Sequence, residues 1–145
     1  MDDDLEQLLK GLKLRRIREI LDEHLERAEQ EGPSYDDFLR RLLRAEYQTQ
    51  QMRFLGYRIN RAKLPEHWAL ESFPWERQPG VQRAIIEQIA RLDFINRASN
   101  IVLVGPTGVG KTGLSIGILL KALEAGHRGL FIKAQCLFDE MYASL

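Results

Sequence analysis

The sequence predicts an α/β fold, truncated: a helical N-terminal region followed by the opening units of a parallel-sheet domain. Three observations carry this reading. Apolar residues recur at three- and four-residue spacing through the first 63 positions, as one face of a helix requires. Residues 101–104, Ile-Val-Leu-Val, are a short aliphatic run of the kind a buried parallel strand shows, followed by a glycine-rich turn and helix-forming sequence. A second apolar run, Gly129-Leu130-Phe131-Ile132-Lys133, returns after that helix and restores the strand–helix–strand order of an α/β unit.

Taken in order, Leu5, Leu8, Leu9 and Leu12, then Leu14, Ile17, Leu21, Leu25 and Ala28, form one apolar stripe that Gly11 kinks or divides. Gly32-Pro33 ends it. Ser34 reads as a helix N-cap with Asp37 three residues on, in the manner of a capping box. A second helix runs from about Tyr35 to Arg61 with Phe38, Leu42, Ala45 and Tyr47 on its apolar side. Residues 1–63 are thus a helical N-terminal domain and residues 64–80 a linker, carrying Pro65, Pro74 and Pro79. The linker also holds Trp68, Phe73 and Trp75, too apolar for a free tether. Either they pack on the following domain, or Phe73 and its neighbours border a nucleotide base. Residues 81–145 form the α/β part. Val81, Ile85, Ile86, Ile89 and Leu92 make a helical stripe ending near Asn96, and Gly126 stops the helix that starts at Lys111. A last helix begins near residue 135 with Leu137, Met141 and Leu145.

The chemistry sits in Gly105-Pro106-Thr107-Gly108-Val109-Gly110-Lys111-Thr112, a complete G-x-x-x-x-G-K-[ST] pattern. Its glycines let the backbone turn tightly and aim N–H groups at phosphate oxygens. The helix that follows presents unpaired N–H groups and the positive end of its dipole. Lys111 would reach the β- and γ-phosphates and the Thr112 hydroxyl would hold Mg²⁺. The ligand class is a nucleoside triphosphate. His24 and His67 have no carboxylate or cysteine arrangement that suggests catalysis.

Composition narrows the class further. At 145 residues, 44% hydrophobic and 29% charged, the chain suits one ordinary soluble domain or two small ones. No apolar run approaches a membrane span, and the acidic N-terminus is not a signal peptide. The single cysteine, Cys136, has no disulfide partner in the chain, which fits a reducing, cytoplasmic location. Formal net charge is zero, but its distribution is uneven. Residues 1–37 are acidic, whereas residues 38–63 carry Arg40, Arg41, Arg44, Arg53, Arg58, Arg61 and Lys63 against the lone acid Glu46. This block could grip a nucleic-acid backbone or pair with the acidic helix before it.

Several of these residues together resemble a known family. The N-terminal helices, Leu70-Glu71-Ser72-Phe73, Leu92-Asp93-Phe94-Ile95, GPTGVGKT and the segment AGHRGLFI at 125–132 are similar to the IstB-like ATP-binding proteins. These are AAA+ ATPases related to the DnaC helicase loaders and help DNA transposition. The likeness runs from about Leu5 to the end of the chain, and covers the first half or so of the family's length. It implies a P-loop (AAA+) domain that binds ATP with Mg²⁺ through residues 105–112, partners in DNA and a transposase, and homo-oligomerisation. One departure is Gly113, where members commonly carry a histidine. The family's acidic Walker B pair, sensor residue and arginine finger have no match here, and Asp139-Glu140 lies in an amphipathic helical stretch instead.

In that family the two strands read here are not neighbours, so both would lack ladder partners. A truncated reading frame or fragment, marginally stable and prone to aggregate, is the expectation. Two alternatives stand beside the transposition helper. One is a different P-loop enzyme such as a small-molecule kinase. The other is a non-catalytic helical module that docks DNA or a transposase. Salt-dependent DNA binding by residues 1–63 would favour the module over the kinase.

Overall fold

The computed structural model describes residues 3–144, which divide into two compact units, one up to Phe54 and one from Leu55 on. Seven α-helices and two 3₁₀ turns are assigned among the described residues: α1 (Asp3–Gly11), α2 (Arg15–Glu31), α3 (Tyr35–Arg61), the turns Leu70–Ser72 and Trp75–Arg77, α4 (Arg83–Ile89), α5 (Asp93–Asn96), α6 (Lys111–Glu124) and α7 (Ala134–Ala143).

In the first unit α1, α2 and residues 35–54 of α3 bury Leu9, Ile17, Ile20, Leu21 and Leu42, with Leu14, Phe38 and Ala45 packed against them. The stripe expected to be divided at Gly11 is divided two residues later. The Lys13 and Leu14 N–H groups donate to the carbonyls of Lys10 (3.1 Å) and Leu9 (2.9 Å), closing a Schellman turn. Lys13 takes the left-handed position that turn requires, at φ 59°. A side chain there is strained, so Lys13→Gly is expected to raise the stability of this unit by about 0.5–1 kcal/mol. Urea unfolding followed by circular dichroism checks it, and a loss of stability would contradict it.

Gly32, also left-handed at φ 59°, ends α2. The Ser34 hydroxyl accepts the Asp37 N–H at 3.1 Å and donates to the Asp37 carboxylate at 2.7 Å, so the expected cap forms. At the start of α2 no local side chain caps the helix. Glu46 does so from α3: one carboxylate oxygen accepts the N–H groups of Arg16 (2.7 Å) and Ile17 (3.0 Å). The only acid of the basic block is therefore buried, at 3% exposure, against a helix N-terminus. Its other oxygen accepts the Gln50 side-chain amide at 3.3 Å.

The second unit is built around α6. Leu114 and Ile118 of this helix pack with Leu70, Phe73 and Ile86, and Trp75, Val81, Ile89, Phe94 and Leu103 close around them. The Lys121 ammonium pairs with Glu71 at 2.6 Å, fastening the first 3₁₀ turn to α6. A hydrogen bond from Lys121 holds the Glu71 carboxyl below its usual range, and Glu71 raises Lys121 in turn. The pair contributes fully between the ordinary carboxylate and lysine pKa values. That contribution is lost on acidification through the lowered Glu71 pKa and on alkalinisation through the raised Lys121 pKa. The Arg58 guanidinium donates to the Leu123 carbonyl at 2.8 Å, closing the far end of α6.

The α/β expectation is overturned: no strand or sheet forms among the described residues, and the parallel-sheet domain is not present. Residues 101–104 keep the period-two exposure of a strand. Ile101 and Leu103 are half-buried while Val102 and Val104 are 79% and 90% exposed. No ladder partner reaches them, so their apolar character has no second layer to enter. Residues 129–133 fare alike: the Phe131 N–H donates to the Ala62 carbonyl at 2.8 Å, and the Lys133 carbonyl accepts the Leu137 N–H of α7 at 3.0 Å, so no ladder forms. The stripe read as one helix over 81–96 is two short helices, α4 and α5, separated by Leu92 at φ 68°. Helix α7 buries none of its residues and leaves Leu137, Phe138, Met141 and Tyr142 exposed.

Candidate phosphate-binding site

Residues 105–110 run as a turn from the extended segment into α6, exposed over 105–108 and half-buried at Val109 and Gly110. Two positions in it require glycine: Gly108 at φ 89° and Gly110 at φ 86°. Gly110 is the N-cap of α6, its carbonyl accepts the Leu114 N–H at 2.9 Å, and no side chain caps the helix. The N–H groups of the first turn, from Lys111 on, are thereby left for an acceptor outside the helix. The Lys111 ammonium curls over the loop, donating to the carbonyls of Gly105 (2.9 Å) and Pro106 (2.6 Å). Thr112 is exposed beside it. The eight residues of the sequence pattern thus form a turn that runs into the first residues of α6, with a cation at its mouth.

Two different surfaces lie against α6. On one face a cleft of about 840 Å³ runs from Lys111 and Thr112 past Ser115 and Leu119, walled by residues 101–103 and 130–132. On the other face the segment 68–78 crosses the helix as a strap. A Cβ at Gly110 would stand 2.6 Å from the Phe73 ring, one at Gly113 3.1 Å from the Trp68 ring, and one at Gly117 2.6 Å from the Leu70 side chain. Phe73 is 4% exposed and stacks, tilted, on Trp75 at 4.6 Å. It packs, then, and is closed to a base. Further along the strap, the Gln78 amide donates to the Gly108 carbonyl at 3.3 Å.

Sequence reading missed this strap as a support of the loop. The available signal was the spacing of Gly110, Gly113 and Gly117, which marks one helix face for close approach. The Gly113 departure also gains a reason, because the Trp68 ring occupies the space of a side chain there.

The seven basic residues of 38–63 are placed variously. Arg40 pairs with Asp36 and Arg41 with Glu31 (2.9 Å). Arg58 is taken up by the end of α6, and Arg61 by the Tyr57 hydroxyl at 2.8 Å and its ring at 5.7 Å. Arg44, Arg53 and Lys63 are exposed and make no hydrogen bond or ion pair among the described residues.

A family model for IstB-like ATP-binding proteins matches residues 7–144. The chain belongs to that family. Among curated proteins it is similar to an insertion sequence IS21 protein of Pseudomonas aeruginosa, named for ATP binding, at 38% identity over 142 residues. That alignment covers 98% of this chain and 52% of the relative. An insertion sequence IS5376 protein of Geobacillus stearothermophilus is 38% identical over 74% of this chain and 43% of its own length. An IS21-like protein of Bacteroides fragilis is 30% identical over 93% of this chain and 68% of its own length. The chain spans about half the length of most curated relatives it matches. The span matched to the IstB-like family takes in both units, so the helical region, strap and phosphate loop all lie within it. No helix among the described residues is long and apolar enough to cross a membrane.

Proposed function

We propose that this IstB-like chain binds ATP with Mg²⁺ at residues 105–112 and serves as a helper of DNA transposition. The observation that carries the reading is the geometry of the loop: two left-handed glycines deliver the chain into the uncapped N-terminus of α6 with Lys111 poised over it. The residues present fit the ligand. Backbone N–H groups and the α6 dipole suit the phosphate oxygens, and Lys111 exchanges two backbone carbonyls for the β- and γ-phosphates. Thr112 is the residue that would hold Mg²⁺, which neutralises phosphate charge when bound. Binding, and not turnover, is what these residues account for. Membership of the family sets the small-molecule kinase alternative aside.

Calorimetric titration with Mg·ATP tests the reading. Micromolar affinity, about 8 kcal/mol, is expected for the chain. Lys111→Ala is expected to weaken it at least about tenfold, since a charge-assisted hydrogen bond is lost. Equal binding by both proteins would overturn the assignment.

The helical region supports a second role in the same process, contact with DNA. Its support is the exposed cations Arg44 and Arg53 together with the exposed rings of Tyr47 and Phe54. A transposase partner and homo-oligomerisation belong to the same reading, as does a cytoplasmic location, which suits the exposed free thiol of Cys136.

A further inference from the structure

We infer that residues 68–78 are a positioning strap for the phosphate loop, acting on the triphosphate end of the ligand and not on its base. The inference rests on the nucleotide reading above and deepens it. Both left-handed glycines of the loop are touched by this one segment. The buried Phe73 ring backs Gly110, where the chain enters α6, and the Gln78 amide holds the Gly108 carbonyl. The peptide geometry at these two positions decides where the loop N–H groups point.

The strap is itself anchored. Trp68 sits over Gly113, Leu70 over Gly117, and Glu71 pairs with Lys121, so it is fastened along α6 at three successive turns. Beyond Phe73, Trp75 stacks on its ring, and the Arg83 guanidinium lies over Trp75 at 5.5 Å. Phe73 is thereby held against Gly110. Preorganised donors lose affinity when their scaffold loosens, even if every donor is retained. Phe73 and Gln78 are positioning residues in this sense. Their contacts shown here are with the loop backbone.

The test uses the full chain with Gln78→Ala and Phe73→Leu, titrated with Mg·ATP, Mg·GTP and magnesium tripolyphosphate. Gln78→Ala removes one solvent-facing hydrogen bond and is expected to leave the melting temperature within about 2 °C of the parent. It is expected to weaken all three ligands by the same factor, about three- to tenfold. Phe73→Leu should weaken them by a common factor of at least about that size. In the ligand-free proteins, amide hydrogen exchange at residues 108–112 is expected to accelerate in both variants.

A loss seen for ATP alone would place the strap at the base and overturn the inference. Parent-like affinities for Gln78→Ala and Phe73→Leu would do the same. Failure of the parent chain to bind any of the three ligands would instead overturn the nucleotide reading. Exchange rates would still judge the strap in that case, because unchanged protection of residues 108–112 in both variants means that it does not hold the loop.

Discussion

Gly110→Ala is expected to abolish measurable nucleotide binding and to destabilise the second unit by about 2–5 kcal/mol. Two costs add. The residue stands at φ 86°, where any Cβ carries a penalty of about 1–2 kcal/mol. That Cβ would also fall 2.6 Å from Cε2 and 2.9 Å from Cζ of Phe73. The ring cannot swing away freely, because it is buried with Leu70, Ile86, Leu114 and Ile118. Overpacking of this kind costs about 1–3 kcal/mol. Relief by moving α6 away from the strap would displace the loop N–H groups, so affinity falls with stability. Denaturant unfolding followed by the fluorescence of Trp68 and Trp75, together with calorimetry, reads both effects. A variant that unfolds and binds like the parent would show that the ring is not pinned.

Glu46→Ala carries the second large effect, a loss of about 3–4 kcal/mol in the first unit. The carboxylate satisfies two N–H groups at the start of α2, one of them buried, where no other side chain does. Hydrogen bonds to a charged group contribute about 1.5–3 kcal/mol each, and the favourable interaction with the helix dipole is lost as well. A unit whose core is Leu9, Ile17, Ile20, Leu21 and Leu42 has little stability to spare. Glu46→Gln keeps an acceptor oxygen in place and should recover part of the loss. Thermal unfolding followed at 222 nm distinguishes the three proteins, and coincident transitions would mean that the cap contributes nothing.

The parts of the fold legible in the sequence are those decided locally. Ser34 and Asp37 lie three residues apart and make their cap with each other, and Gly32-Pro33 breaks the chain where a proline must. The turn at 105–110 is local in the same way, being a single turn with its own glycines. What escaped depends on distant partners. Residues 101–104 have strand composition and strand alternation, yet a strand exists only through a neighbour's backbone, and the described residues supply none. Glu46 looked like a stray acid in a basic block because its partners, the Arg16 and Ile17 N–H groups, lie some thirty positions earlier. Lys13 shows a third limit: hydrogen bonding around the turn selects which residue becomes left-handed, and it passed over the nearby Gly11. In the site, Phe73 was weighed as a neighbour of a base, and burial against Gly110 decides against it.

The glycines under the strap have a kinetic side. Gly113 and Gly117 each lower the intrinsic helical preference of α6 by about 1 kcal/mol relative to alanine, so this segment is a poor helix when alone. Trp68 and Leu70 fill the space those glycines leave, and their docking repays the deficit. Helix and strap should therefore form together and open together in the native protein, as a single cooperative unit. The phosphate loop, fixed at one end to that unit, would come into being only with it. Protease sensitivity in residues 68–78 would then report directly on whether the loop is assembled.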